Sequence, residues 1–427
     1  MWSRSSPPRV GPRRGIISWG YEHRGVTISR FVSTYARDVR DPLTAKLAPF
    51  GTTIFATMSA LAVETGSINL GQGFPDTDGP SDVLDAAVAA IRSGQNQYPP
   101  GLGIPDLRRA VAEHQQRFWG IELDPDTEVL ITAGATEALA GALLGTLEPG
   151  DEVVVFEPMY DSYQACIALA GARIVPVLLR PTPEGYRFDP DELRAAIGPR
   201  TRSILLNTPH NPTGKVFTAE EMGQIATLAI EHDLMVITDE VYEHLIFDGR
   251  QHIPMSTLPG MRERTLTISS GGKTFHTTGW KIGWISGPQP MVKAAMSAKQ
   301  FLTYVNGAPF QPAMAVGLRL GDDYFESLVA NLADSRDRLH AGLHAAGFTV
   351  YPSEATYFTT VDVTPLRADG DGMAFCLELP HRIGVVAVPN QVFYVEPAHG
   401  RNLVRFACCK RPEVIDAAVE RLVTLAN

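Results

Sequence analysis

Residues 269–284 read SSGGKTFHTTGWKIGW. The stretch sets Lys273 in a Ser/Gly-rich turn just after the β-prone run TLTI at 265–268, and it carries a second lysine, Lys281, between Trp280 and Ile282. Three chemistries compete for Lys273, and spacing tests two of them. A phosphate-cradling P-loop has a glycine five residues before its Gly-Lys-Thr, but Thr267 stands there. A serine acyl-enzyme with an S-x-x-K pair would use Ser270 and Lys273, yet its Lys-Thr-Gly companion is missing, because the only Lys-Thr is followed by Phe275. The third makes Lys273 an imine-forming amine, which needs a desolvated site to hold its pKa down and a carbonyl to attack. A solvated loop lysine is the alternative if the rest of the chain supplies no cradle.

Working outward, strand and helix patterns alternate. Residues 129–132, 152–156, 173–178, 203–207, 234–238, 265–268 and 282–286 read as strands, with helical stretches between several of them. Such alternation predicts an α/β fold with a mainly parallel central sheet flanked by helices, and ligands then bind at the strands' carboxyl ends. Tyr160, Asn211, Asp239 and Tyr242 each follow a strand. An acid such as Asp239 at the end of an apolar strand is costly unless a cation or strong donors meet it. No arginine lies close in sequence, so a bound cationic ring would suit it, with helix capping as the alternative. Gly134-Ala135-Thr136 opens a helix whose small residues and unpaired N–H groups make an anion site, or a plain cap.

Upstream, Gly71-Gln72-Gly73 beside Phe74 and Pro75 lets backbone approach a ligand, or makes an ordinary turn. Residues 81–92 and 105–118 carry helical spacing, separated by a Pro/Gly loop that contains Tyr98. Gly101-x-Gly103 hints at a dinucleotide turn, but Asp106 takes the third glycine's place. Beyond residue 320 the pattern changes to a long helix over 322–346, β-prone runs at 348–350, 357–361, 384–388 and 403–406, and a closing helix at 412–425. There Arg405 sits within an apolar strand, where a charge needs an anion, either a substrate carboxylate held by its two-pronged fork or a structural salt bridge.

The 427 residues exceed one ordinary core, and 44% of them are hydrophobic, so a large domain plus a smaller one is expected. A net charge of −10 argues against nucleic acid or an anionic membrane as the main partner. Cys166, Cys376, Cys408 and Cys409 lack metal-ligand spacing and read as reduced thiols, which points to the cytoplasm, and no metal is expected. Residues 1–40, with Arg4, Arg9, Arg13 and Arg14 and no acid before Glu22, resemble a transit peptide only in composition and are expected to be a disordered leader or a misassigned start. No apolar run there is long enough for a membrane span.

Several motifs in order complete the pattern: NLGQGFPD at 69–76, NTPHNPTG at 207–214, DEVY at 239–242, SGGK at 270–273, GWKIGW at 279–284 and Arg405-Phe406. Together they resemble the class I aminotransferases of the fold-type-I pyridoxal-phosphate enzymes, over nearly everything from residue 42 to the end. Beyond the leader expected at 1–40, the resemblance implies an N-terminal arm at 41–75 that joins the small domain, a large cofactor-binding domain at 76–320 and a small α+β domain at 321–427. It implies that Lys273 forms an imine with pyridoxal 5'-phosphate and later moves a proton. Asp239 would pair with the ring nitrogen, Asn211 and Tyr242 with the phenolic oxygen, and Tyr160 would stack on the ring. Ala135, Thr136, Ser270 and Lys281 would hold the phosphate, with Tyr98 reaching the phosphate of a neighbouring subunit in a homodimer. Arg405 would bind the substrate α-carboxylate near Gly73, and Asn211 and Phe55 would also meet the substrate.

Two departures matter. Lys281 replaces an arginine common in relatives, which keeps the charge and loses the fork. Phe55 stands near a position where kynurenine and glutamine transaminases have tryptophan. Residues 51–59 and 304–311 are most similar to actinobacterial enzymes assigned as N-succinyldiaminopimelate aminotransferases. The resemblance therefore implies ping-pong transfer from N-succinyl-LL-2,6-diaminopimelate to 2-oxoglutarate, a step of lysine biosynthesis. The rival is a broad kynurenine, glutamine or methionine transaminase with cysteine-conjugate β-lyase activity. A ligand-sensing module would need a helix-turn-helix that 1–40 is too short and Pro/Gly-broken to supply, and a lyase on the same scaffold stays open.

Overall fold

Seven strands form one sheet: β1 (Val129–Thr132), β2 (Glu152–Glu157), β3 (Arg173–Leu178), β4 (Thr201–Asn207), β5 (Met235–Asp239), β6 (Thr265–Ser270) and β7 (Gly283–Ser286). The structure is a computed structural model, and it describes residues 43–51 and 53–426. The leader expected at 1–40 lies outside them. Successive side chains of a strand point to opposite faces, and here both faces are apolar. Val153, Val155, Leu205 and Ile237 enter one core, while Val154, Phe156, Ile204, Leu206 and Val236 enter another. Each such fully buried side chain contributes about 1.5–3 kcal/mol, which is why these runs read as continuously hydrophobic rather than alternating.

Helices cover the two faces. Gly134–Thr146 lays Ala138, Leu139, Ala142 and Leu143 on the first core. Ala219–Glu231 lays Met222, Ile225 and Ala229 on the second, and its start is fixed by a capping box between Thr218 and Glu221.

The strand order is β1-β7-β6-β5-β4-β2-β3. All pairings are parallel except those of β7, which runs antiparallel to β1 and β6. The segment from 271 to 282 holds only short helical turns. A parallel return needs a longer crossover, usually with a full helix, so the chain turns straight back. The register matches Asn207 with Asp239 and Asp239 with Ile268. The carboxyl ends of β4, β5 and β6 are therefore level, and the loops that follow them open on one edge.

A second, four-stranded antiparallel sheet takes Thr349–Val350, Phe358–Asp362, Leu403–Ala407 and Val388–Pro389 in that order. The helices Asp322–Ala345 and Pro412–Leu422 pack on it through Leu339, Leu343, Ile415 and Ala418. Met58, Ala62 and Leu70 join the same core, and Ile68–Asn69 pairs in parallel with Val385–Val386. No helix among the described residues is long and apolar enough to cross a membrane.

Candidate active site

A cavity of about 290 Å³ opens where the level ends of β4, β5 and β6 meet Arg405 of the second sheet and the Gln72-Gly73 backbone. Lys273 enters it from Gly271–Thr274, a single helical turn that follows β6 directly, where a Ser/Gly-rich turn was expected. Its Nζ donates to the Gly73 carbonyl at 3.3 Å, and the Tyr357 hydroxyl donates to the same oxygen at 2.7 Å. Burial pushes the Lys273 amine down to about 8, against the pull of Cys409 and Asp239. Set in a helical turn, half-buried in the cavity wall and bonded to Gly73, Lys273 is not a solvated loop lysine.

Asp239 closes β5 and is buried. Its Oδ2 accepts from the Tyr163 hydroxyl at 2.8 Å and its Oδ1 from the Val241 N–H at a long 3.4 Å. Burial pushes the carboxyl up to about 6, opposed by those two donors and by Lys273. Among the described residues Asp239 has no ion-pair partner, and no helix starts behind it for it to cap. Tyr242 lines the same cavity, and burial pushes its phenol far above the usual range.

Gly134, Ala135 and Thr136 form the first turn of Gly134–Thr146, with Ser270 and Lys281 around them in the cavity wall. Gly134 has φ +73°, a conformation that favours glycine, and a Cβ there would crowd the Lys281 amine at 3.2 Å. Unpaired N–H groups, a hydroxyl and an ammonium together make a site for a dianion. Tyr160 caps the next helix, Asp161–Ala170, and burial pushes its phenol up to about 12.

Arg405, 1% exposed, lies in the strand Leu403–Ala407. Its Nη1 donates to Asn211 Oδ1 at 3.0 Å and its Nη2 to the Gly71 carbonyl at 3.1 Å, while Nε has no partner among the described residues. The rings of Phe358, Phe393 and Phe55 stand 4.0, 5.0 and 5.3 Å from its guanidinium. Burial lowers its pKa to about 10. The structural salt bridge weighed from sequence is absent among the described residues, and the guanidinium faces a cavity that can admit an anion.

Thus Phe55, Gly73, Ala135, Thr136, Tyr160, Asn211, Asp239, Tyr242, Ser270, Lys273, Lys281 and Arg405 all line one cavity. Tyr98 does not. It is 81% exposed and packs edge-on against Tyr304 at 5.5 Å between ring centroids. Sequence reasoning missed Tyr163 and Tyr357. Tyr163 stands three residues after Tyr160 on the same helical face, a spacing that could have flagged it. Tyr357 opens a β-prone run and looks like any core aromatic. The four cysteines are buried and free.

The donor set fits pyridoxal 5'-phosphate. A lysine whose amine is pushed down to about 8, so that a large share is neutral near that pH, suits an aldehyde. A buried carboxylate lacking a cation suits a protonated ring nitrogen, and the Gly134 turn with Ser270 and Lys281 suits a phosphate.

A family model described as aminotransferase class I and II matches residues 65–422. A probable N-succinyldiaminopimelate aminotransferase of Mycobacterium tuberculosis is 51% identical over 392 residues, spanning 90% of this chain and 98% of that protein. The solved structure of N-succinyldiaminopimelate aminotransferase from that organism superposes with a TM-score of 0.88, covering 90% of this chain and all (100%) of the other. The methionine aminotransferase of Escherichia coli is 38% identical over 88% of this chain and 97% of its own length. The mouse kynurenine–oxoglutarate transaminase 3 is 37% identical over 86% of each.

Proposed function

The chain belongs to the class I and II aminotransferases, a family of pyridoxal-phosphate enzymes, and from that premise we propose that it exchanges an amino group between N-succinyl-LL-2,6-diaminopimelate and 2-oxoglutarate. What supports this substrate is the 51% identity to the mycobacterial protein over 98% of that protein's length. The central chemistry rests on one arrangement around one cavity: a half-buried amine, and a buried carboxylate and a buried guanidinium that have no ion-pair partner among the described residues.

When bound, pyridoxal phosphate supplies an electrophilic carbonyl and an electron-accepting ring. Lys273, whose amine is poised near neutrality, holds the carbonyl between turnovers and then carries a proton to and from the substrate Cα. Asp239 would pair with the ring nitrogen. Asn211 and Tyr242 would orient the phenolic oxygen, Tyr160 would cover the ring face, and Ala135, Thr136, Ser270 and Lys281 would hold the phosphate. Arg405 takes the substrate α-carboxylate in a two-pronged bond, beside Gly73 and Phe55. The holoenzyme would keep the amino group between donor and acceptor, which would make the kinetics ping-pong.

The exposed Tyr98 supports a homodimer in which it reaches the partner's phosphate. We read residues 76–320 as the cofactor-binding part, and 41–75 with 321–427 as the smaller part that carries Arg405. The free cysteines support a reducing cytoplasm.

A second reading, a broad methionine or kynurenine transaminase, is favoured by the aromatic wall of Phe55, Phe74 and Phe358 and by the two more distant relatives. Steady-state rates with 2-oxoglutarate and a panel of donors separate the two. The succinylated donor should give the highest kcat/KM, and a preference for methionine or kynurenine would replace the first reading by the second.

A further inference from the structure

We infer that Tyr163 is a positioning residue for Asp239: its hydroxyl holds one carboxylate oxygen so that the other stands ready for the ring nitrogen of the cofactor. The inference rests on the cofactor reading above.

Tyr163 lies in the first turn of the helix Asp161–Ala170, 2% exposed, with its ring in the core that also holds Leu139, Val155 and Ile237. The Tyr160 ring meets it edge-on at 5.7 Å. Packing therefore fixes where its hydroxyl points, and the acceptor is Asp239 Oδ2 at 2.8 Å. The direction of that bond is also fixed. Burial and the Asp239 charge push the phenol far above its usual range, so Tyr163 keeps its proton and always donates.

With Oδ2 already accepting from Tyr163, Oδ1 is the oxygen with more room for a further partner. Oδ1 faces the long 3.4 Å contact from the Val241 N–H, which leaves it under-satisfied. The other groups bearing on Asp239 are Lys273, which favours its anion, and Glu240, which disfavours it. Tyr160 and Tyr242 also feel its charge. In this company Tyr163 is the one side chain that hydrogen-bonds the carboxylate among the described residues. It keeps Asp239 charged and aimed despite burial.

A double-mutant cycle on the full-length apo-protein tests this, reading the affinity for pyridoxal 5'-phosphate in wild type, Tyr163→Phe, Asp239→Asn and the double variant. The phenylalanine ring preserves the packing, so the fold is retained. Tyr163→Phe should weaken binding about ten-fold near neutral pH, as expected for a bond to a charged group. The double variant should bind no more weakly than Asp239→Asn alone. The ratio of wild-type to Tyr163→Phe affinity should also shrink as pH rises, because the carboxylate then ionises without help. Independent losses in the double variant, or a ratio that ignores pH, would show that Tyr163 acts by packing alone and overturn the inference. If Asp239→Asn bound the cofactor as tightly as wild type, the cofactor reading itself would fall instead.

Discussion

Arg405 Nη1 donates to Asn211 Oδ1 across 3.0 Å, tying a strand of the second sheet to the loop that leaves β4 of the first. A guanidinium that is buried, ringed by three phenylalanines and left with Nε unpaired among the described residues is costly until an anion arrives. Its geometry is set before the anion comes, so little ordering is lost on binding.

Arg405→Lys keeps the charge and removes the fork. It should raise KM for amino donors and for 2-oxoglutarate by about 10–100-fold, in line with about 1.5–3 kcal/mol for a charge-assisted bond. Affinity for pyridoxal phosphate should hardly change. Steady-state kinetics with a separate cofactor titration checks this, and an unchanged KM would place the carboxylate elsewhere.

Asp239 gives a stability test. Its folded pKa, about 6, lies above the ordinary 3.8. A group raised in this way contributes most below its unfolded pKa, and that contribution is lost as pH rises through the folded value. Apo Asp239→Asn should therefore be more stable than apo wild type above pH about 6, by about 3 kcal/mol for a shift of roughly two units. The gap should close below pH about 4. Denaturant titrations of both apo-proteins across this range measure it, and a gap independent of pH would refute the assignment.

How much of this was legible in the sequence depends on the range of the contacts. Most of the seven strands could be read because both of their faces are buried, which leaves runs such as Val153-Val154-Val155-Phe156 with no polar interruption, whereas the edge strand Arg173–Leu178 is partly open. The reversed direction of β7 left no trace in composition, since it follows from how short its connection is. The pairing of Ile68–Asn69 with Val385–Val386 joins segments far apart in sequence, and no local pattern encodes it. The site residues that could be read were those whose chemistry is costly where they stand: a lysine among glycines, an aspartate ending an apolar strand, an arginine within one. Tyr163 and Tyr357 could not be read this way, because a buried tyrosine is ordinary until its hydroxyl's partner is known.

Lys273 gives a kinetic pH test. Its folded pKa, about 8, lies below the ordinary 10.5, so the neutral amine is the minor form below about pH 8 and the major form above it. The rate at which apo-protein captures pyridoxal phosphate should rise nearly ten-fold per pH unit up to about 8 and then level off. Stopped-flow absorbance between about pH 6 and pH 9.5 follows it. A rate still climbing ten-fold per unit at the upper end would mean an ordinary, solvated lysine.

The most direct measurement is to load the purified protein with pyridoxal phosphate, reduce it with borohydride, digest it and locate the added mass on the peptides. The account predicts that the cofactor's mass sits on Lys273, and that Lys273→Ala takes up no mass and loses turnover. Mass on Lys281 or another lysine, or a Lys273→Ala variant that turns over at the wild-type rate, would contradict it.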